Sequence, residues 1–485
     1  MPGKAPIAVI GAGFSGTMVA LHLAETLPPD RTVLLCERAA FACGPAYASR
    51  NAGHLLNVRA ANMSAFPDRP AHFEHWLAAQ PEVPPDQARQ SDAGLFVSRG
   101  LYGSYLCDLL DRAVTGGGGR LRKIAAEIVD LERDGDEFRL RLAGGDTLRA
   151  QSVVLAIGNL PPLATGTDLH RTNPWAPGVT AGLRPDLPVL LLGTGLTMVD
   201  LAQELRDAGF AGPVIALSRR GLLPHRHAPA RKWPTPDLDD AERGSLSLLL
   251  QRMRWEARRA EARGCDWRGV VDSLRPVTAD IWRRLPQADR DRFLRHLRPY
   301  WDIHRHRLAQ PVAERLADMI ATGWLRVVRG RVAAMAFEQD RAVATIRRHG
   351  VEDAETLTVQ RVISATGLQS AAQADCKLIR ALCARGLARL DTRAFGLDVT
   401  DSLALRDADG QPVPGLWALG PIVRGVFWEC IAVPDIRVQA KRVAENVAAT
   451  LLPSGDDGDP LDDVGAALLP LTRGSAPAFA GHAGE

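Results

Sequence analysis

The 485-residue chain has no Cys-x-x-Cys pair, and its seven cysteines, Cys36, Cys43, Cys107, Cys265, Cys376, Cys383 and Cys430, are an odd, scattered set. This argues against a disulfide reductase built on a redox-active dithiol and fits a reducing compartment. No apolar run reaches the length of a spanning helix. A strand-like run begins at Ile7 and leaves no room for a secretory signal, so the expectation is a cytoplasmic protein with no membrane partner. There is no Gly-x-Ser-x-Gly elbow to support a hydrolase. The net charge of +3 is too small to argue for a nucleic-acid partner. His225-Arg-His227, His304-Arg-His306 and the His72/His75 pair lack the carboxylate or cysteine companions of a ligand set, so no metal is expected. These histidines read as phosphate-facing or surface groups.

Two glycine-rich loops are present instead: Gly11-Ala-Gly-Phe-Ser-Gly16 and Gly193-Thr-Gly-Leu-Thr-Met198. The first follows the apolar run Ile7-Ala-Val-Ile10 and opens a helical pattern from Thr17 to Leu27. The second follows Val189-Leu-Leu-Leu192 and opens one from Val199 to Leu205. Strand, tight turn and helix start is the context of a dinucleotide-binding loop. Its glycines let the backbone approach a pyrophosphate, and the helix start offers free N–H groups to the negative charge. A chain with two such loops passes electrons between two dinucleotides.

The residues after each loop separate the two sites. Glu37 stands 26 residues after Gly11, at the end of Val33-Leu-Leu-Cys-Glu37, and Arg219 stands 26 residues after Gly193, following Val214-Ile-Ala-Leu217. An acidic residue there accepts hydrogen bonds from free ribose hydroxyls, whereas Ser218-Arg219-Arg220 suits a 2′-phosphate. The spacing therefore assigns FAD to Gly11, Gly13, Phe14, Ser15, Gly16, Glu37 and Arg38. NADPH falls to Gly193, Gly195, Leu196, Thr197, Ser218, Arg219 and Arg220. Met198 occupies the place of the third glycine in the second loop, and its bulk is expected to loosen helix-to-strand packing.

The expected fold is α/β, with two Rossmann-like domains, the NADPH domain inserted in the FAD domain. Residues 1–165 form the first part of the FAD domain, 186–360 the NADPH domain, 361–452 the closing part of the FAD domain, and 453–485 a flexible tail rich in Gly, Asp, Ala and Pro. The runs Val153-Val-Leu-Ala-Ile-Gly158 and Val362-Ile-Ser-Ala-Thr-Gly367 end alike in glycine, placing Gly158 and Gly367 at the domain crossovers. Apolar residues at helical spacing from 241 to 319 imply a helical insertion in the NADPH domain. Between Gln251 and Gln310 it carries 15 basic residues against 8 acidic ones. Because the two signs interleave, the arginines read as solvated faces and packing edges.

The order of GAGFSG, LAIG, GTGLTM, SATG and LWALGP, over about residues 5 to 450, resembles flavoprotein monooxygenases and reductases of the two-Rossmann type. It is most similar to the bacterial FAD/NAD(P)-binding family, related to flavin-containing and N-hydroxylating monooxygenases. GPAYAS at Gly44 to Ser49, the stretch from His54 to Leu77, LYGSYL at Leu101 to Leu106 and SRRGLLPHRH at Ser218 to His227 carry the resemblance in detail. It implies an FAD-dependent NADPH oxidoreductase, a monooxygenase acting through a flavin hydroperoxide on a small molecule with oxygen. Two alternatives stay open: a reductase or dehydrogenase passing electrons on without oxygen insertion, and a flavin-bound sensor or scaffold.

Three residues are candidates for the chemistry. In LLNVRAANMSAFPDRP, similar to a flavin-containing monooxygenase segment that lies beside the flavin ring, Asn57 would hydrogen-bond the hydroperoxide; the alternative is an asparagine capping a turn. Gly166 and His170 keep the spacing of a monooxygenase fingerprint whose aromatic ends are displaced, Ala164 replacing one and Trp175 coming a residue late. In the closing part, Gly420 and Pro421 stand where related flavoproteins have Gly-Asp beside the flavin, so contacts there pass to backbone groups. Trp428 and Glu429 would then point toward the active site, Trp428 alternatively filling core. Burial beside Phe427 and Trp428 would raise the Glu429 carboxyl toward neutrality and suit it to proton transfer.

Overall fold

A computed structural model describes residues 4–160, 167, 169–176, 178–367 and 370–451. The first of its two large sheets has six strands, in the order Ala404–Arg406, Pro412–Ala418, Ser152–Leu155, Ile7–Ile10, Val33–Glu37 and Leu121–Ala125. All neighbours run parallel except the first hairpin. Ile7–Ile10 and Ser152–Leu155 are buried at every position, the continuous apolar pattern of parallel strands covered on both faces. Helix Phe14–Thr26 is buried from Phe14 through Leu23 and packs against the closing helix Val433–Leu451.

The second sheet orders His170–Arg171, Arg361–Ser364, Val189–Leu192, Val214–Ser218, Leu325–Phe337, Ala342–Arg348 and Ala354–Val359. Its first five strands are parallel and its last two form an antiparallel meander. The architecture is the α/β, two-Rossmann arrangement that the loops imply. The boundary expected at 361 moves, however. Arg361–Ser364 hydrogen-bonds Val189–Leu192, so the second unit runs through Ser364. A glycine-terminated strand looks the same whether it closes one sheet or opens another, and only the pairing partner decides. The expected tail at 453–485 lies outside the described residues.

Between Val214–Ser218 and Leu325–Phe337 the chain forms helices, among them Leu246–Glu261, Trp267–Ser273, Thr278–Arg284, Arg298–Arg305 and Gln310–Ala321. Their arginines are largely ion-paired at packing edges, as in Arg252 with Glu256, Arg268 with Asp266 and Arg283 with Asp401. Among the described residues no helix is long and apolar enough to cross a membrane.

The two halves meet through a seam that is polar and buried. Leu55 and Phe96, from the first half in sequence, join the core of the second sheet. Beside them Arg99 and Asp200 form an ion pair at 2.8 Å, their side chains 15% and 8% exposed. His54 completes the contact: Nε2 lies 3.1 Å from the Asp200 carbonyl, and Nδ1 lies 2.8 Å from the Ser49 hydroxyl. Burial raises the Asp200 carboxyl above its ordinary range, while the charge of Arg99 holds it down. Arg99→Ala should therefore cost about 3 kcal/mol at neutral pH by stranding a buried carboxylate, and the double variant Arg99→Leu/Asp200→Leu should recover much of it. Chemical denaturation of both variants checks this; equal losses would mean that the pair is not electrostatically coupled.

Candidate functional site

The first loop is fixed by close backbone approach. Gly11 has φ +96°, and a Cβ there would come within 2.5 Å of the Ala156 carbonyl oxygen; a Cβ on Gly16 would come within 1.7 Å of the Gly11 oxygen. Gly13 differs, because its nearest neighbour would be the Gly44 Cα at 3.8 Å, leaving a cradle for a ligand. Gly13 caps helix Phe14–Thr26 without any side-chain hydrogen bond, so the N–H groups of the first turn are offered outward. Phe14 is buried against Tyr47 and Tyr102, and Ser15 is buried beneath Gly420.

Glu37 braces this loop. One carboxylate oxygen accepts from Ala12 N at 2.9 Å, the other from Arg38 N at 2.9 Å and Ala39 N at 3.1 Å. Arg38 is exposed and pairs with Glu127 at 3.0 Å. From the far end of the chain, Gly420 (φ +75°) and buried Pro421 close over the same helix start. A Cβ on Gly420 would meet Ser15 Oγ at 2.7 Å, and Gly420 N donates to Gln439 Oε1 at 3.0 Å. Gly158 and Gly367, with φ +68° and +95°, end their strands with little beside them; a Cβ on Gly367 would lie 3.9 Å from Arg298 Nη2.

The second loop repeats the scheme. Gly193 has φ +114°, and a Cβ there would meet the Ala365 oxygen at 2.3 Å. Gly195 caps helix Leu196–Asp207 with no side-chain bond and open space where a Cβ would stand. Leu196 and Thr197 are half-buried in the first turn. Met198 does not loosen the unit: it is fully buried in the second core beside Val189, Leu191 and Leu201, so this helix stands far enough from its strand to take a side chain. Thr194 Oγ1 lies 2.9 Å from Ser218 Oγ and donates to the Leu222 carbonyl at 2.6 Å, tying the loop to the next strand's end. Arg219 is exposed and, among the described residues, makes no ion pair. Arg220 leans instead on the helical segment, with its guanidinium 5.6 Å from the Tyr300 ring centre.

The Asn57 carbonyl accepts from His227 Nε2 at 2.9 Å, while its side-chain amide has no hydrogen-bond partner among the described residues. It does not cap a turn. His227 is no surface or phosphate-facing group: it is buried against Phe96, and burial, with the charge of Arg307, lowers it to about 4, so it stays neutral. Sequence spacing carries no signal for a contact across 170 residues.

Glu429 corrects the proton-transfer expectation. Burial pushes its carboxyl up, but the charge and hydrogen bond of His306, then Arg305 and Trp301, pull it down to about 2. Trp301 Nε1 donates at 2.8 Å, Arg305 lies at 3.3 Å and His306 at 3.4 Å. A carboxylate so held is an anchor for helix Arg298–Arg305. Its φ of +73°, rare for a residue with a side chain, is stabilised by the same partners. Trp428 stacks on Trp282 at 4.7 Å and meets Phe293 at 5.7 Å, yet its buried indole Nε1 has no hydrogen-bond partner among the described residues. His170, of the displaced fingerprint, lies 3.0 Å from Ser364 Oγ within the second sheet; Ala164 and Gly166 are outside the described residues. No cluster of metal-ligating side chains occurs among the described residues.

A family model described as FAD-NAD(P)-binding matches residues 8–160. No curated protein matches the sequence. Among solved structures, the chain is similar to the ornithine N-hydroxylase of Kutzneria sp. 744, with 13% identity and TM-score 0.59, covering 92% of this chain and 99% of that one. It is similar to L-lysine 6-monooxygenase from Pseudomonas syringae, with 15% identity and TM-score 0.60 over 93% and 100% of the two chains. A cadaverine monooxygenase from Erwinia amylovora, bound to FAD, aligns at 12% identity and TM-score 0.57 over 91% and 94%. At these identities the likeness is one of fold. Residues 8–160 are an FAD-NAD(P)-binding domain, and the uncapped Gly13 and Gly195 cradles fit a pyrophosphate each.

Two outcomes test the geometry. Gly13→Ala meets no protein atom closer than 3.8 Å, so it should fold normally and bind FAD at least about tenfold more weakly, whereas Gly16→Ala should not fold. Full FAD retention by Gly13→Ala would contradict the cradle. Glu429, lowered to about 2, contributes stability that is present above the unfolded value of about 4.3 and is lost as pH falls toward 2. Glu429→Gln should remove that acid-dependent component, on the order of 3 kcal/mol, in denaturation curves between pH 5 and 2. A curve parallel to that of the unmodified chain would refute the anchor.

Proposed function

We propose that the chain is an FAD-dependent, NADPH-using monooxygenase acting on a small molecule. The observation that carries this reading is the pairing of two uncapped helix starts, Gly13 and Gly195, with ribose-end residues of opposite charge, Glu37 and Arg219. The solved structures it resembles include one holding reduced FAD, NADP+ and ornithine, which supports the choice of cofactors and of reaction class. FAD, when bound, accepts reducing equivalents from the nicotinamide and activates oxygen.

The chain's own residues hold, orient and shield. The first-turn N–H groups after Gly13 take the FAD pyrophosphate, and Glu37, already braced by backbone, accepts from the adenosine ribose. The N–H groups after Gly195 take the second pyrophosphate. Arg219 grips the 2′-phosphate, its guanidinium exposed and without an ion pair among the described residues, while Arg220 secures the helical segment beside it. Asn57 presents an uncommitted amide where the two halves meet, its backbone fixed by His227. That amide is the donor we assign to the oxygen reaction, and the helical segment, anchored by Glu429, excludes water from it.

Charged hydrogen bonds contribute about 1.5–3 kcal/mol each, so NADPH should reduce the flavin about ten- to a hundredfold more efficiently than NADH. Arg219→Ala should erase most of this preference with FAD content unchanged. Equal efficiency of NADH and NADPH with the unmodified protein would sink the 2′-phosphate assignment. Asn57→Ala should leave flavin reduction nearly intact and release more hydrogen peroxide per NADPH consumed. Unchanged peroxide yield would remove Asn57 from the oxygen step.

A further inference from the structure

The fold assembles a thiol pair that sequence spacing conceals. Cys43 Sγ and Cys107 Sγ lie 3.3 Å apart, although 64 residues separate them. Cys43 precedes the short helix Gly44–Tyr47, and Cys107 lies within helix Arg99–Gly116. They meet because position 103 is glycine. A Cβ there would come 2.4 Å from the Tyr47 oxygen and 3.1 Å from Cys43 Sγ. Both residues are half-buried, and no other pair of cysteines touches among the described residues.

The backbone around Cys43 rests on the first phosphate loop. Ala42 N donates to the Ala12 carbonyl at 2.7 Å, and Ala12 N donates to Glu37. A Cβ on Gly44 would come 3.2 Å from the Gly13 Cα. Ala42 itself has φ +71°, a left-handed conformation unfavourable for a residue with a side chain. A disulfide needs its sulfurs about 2.05 Å apart. Closing the pair therefore pulls on a strained segment hydrogen-bonded to the loop.

We propose that Cys43 and Cys107 are a peroxide-responsive dithiol whose oxidation to a disulfide loosens the FAD-holding loop Gly11–Gly16. The proposal rests on the assignment of that loop to FAD, and it extends the function by a redox site that senses the by-product of unproductive turnover. The chemistry balances with hydrogen peroxide as oxidant. Cys107 sulfur gives up its proton and attacks one peroxide oxygen, the O–O bond breaks, and the departing hydroxide leaves as water. Cys43 sulfur then displaces the remaining oxygen from Cys107, forming the S–S bond and a second water. Two thiols lose two electrons and two protons in all. Burial, reinforced by the neighbouring Cys107, pushes the Cys43 thiol up to about 12 and keeps it protonated, so the 3.3 Å contact rather than thiolate character brings Cys43 into the second step. By linkage, bound FAD should resist closure to the same degree that closure weakens FAD.

The test treats the FAD-loaded protein with hydrogen peroxide, maps disulfides by mass spectrometry of unreduced digests, and titrates FAD before and after. The expected result is a Cys43–Cys107 cross-linked peptide and an FAD Kd raised about tenfold, restored by dithiothreitol. Cys107→Ser should bind FAD as the unmodified chain does and be indifferent to peroxide. Cys43→Ser should trap Cys107 as a sulfenic acid that dimedone labels. The proposal is overturned if both thiols stay free after half-buried Cys376 and Cys383 have reacted, or if the disulfide forms with FAD affinity unchanged. A chain that closes the disulfide but never binds FAD would overturn it through the loop assignment instead.

Discussion

The buried polar seam between the two sheets is the constraint on which the rest depends. Electron transfer between two dinucleotides requires that their sites keep a fixed relation, and most contacts between domains are too polar and too small to guarantee one. Here Arg99 and Asp200 lock together with little solvent access, and His54 and Ser49 complete the hydrogen bonding around them. Such a pair is a poor source of net stability, because desolvation consumes most of its attraction. It is a strong source of specificity, because any docking that separates the partners strands a charge in the interior.

A second contact crosses the same seam. His227 follows the strand whose end carries Ser218 and Arg219, and it holds the Asn57 backbone in the first half. The residues assigned to the coenzyme phosphate and the residue assigned to oxygen are thus joined by one short segment, 218–227, that ends in the buried His227. Glu429 does similar work elsewhere, where it binds helix Arg298–Arg305 to the closing part of the chain. The two contacts differ in kind. A neutral histidine donates to a carbonyl in one, and an ionised carboxylate gathers three donors in the other, each state set by the environment that burial creates.

The fold was legible because its signals are local. An apolar run, a glycine turn and a helix start lie within about 20 residues of one another, and each loop is followed 26 residues later by a charge that sets its ribose preference. What could not be read is whatever depends on partners far away in sequence. Met198 looked too large for its place, yet helix-to-strand spacing is a property of the whole unit. Arg361–Ser364 read as a return to the first domain because strand pairing leaves no mark on the strand itself. Glu429 was assigned a raised pKa from its apolar neighbours Phe427 and Trp428, whereas the groups that decide its charge, Trp301, Arg305 and His306, come from a helix more than 120 residues earlier. The contact of Cys43 with Cys107 escaped for the same reason, since only adjacent cysteines announce themselves as a dithiol.

The central claim is that one chain holds two dinucleotides in a relation that lets electrons pass between them. Anaerobic mixing of the FAD-loaded protein with one equivalent of NADPH, followed through the visible flavin absorbance in a single turnover, tests it most directly. The account predicts essentially complete bleaching, with colour returning when oxygen is admitted. A flavin that stays oxidised while NADPH is demonstrably bound would contradict it.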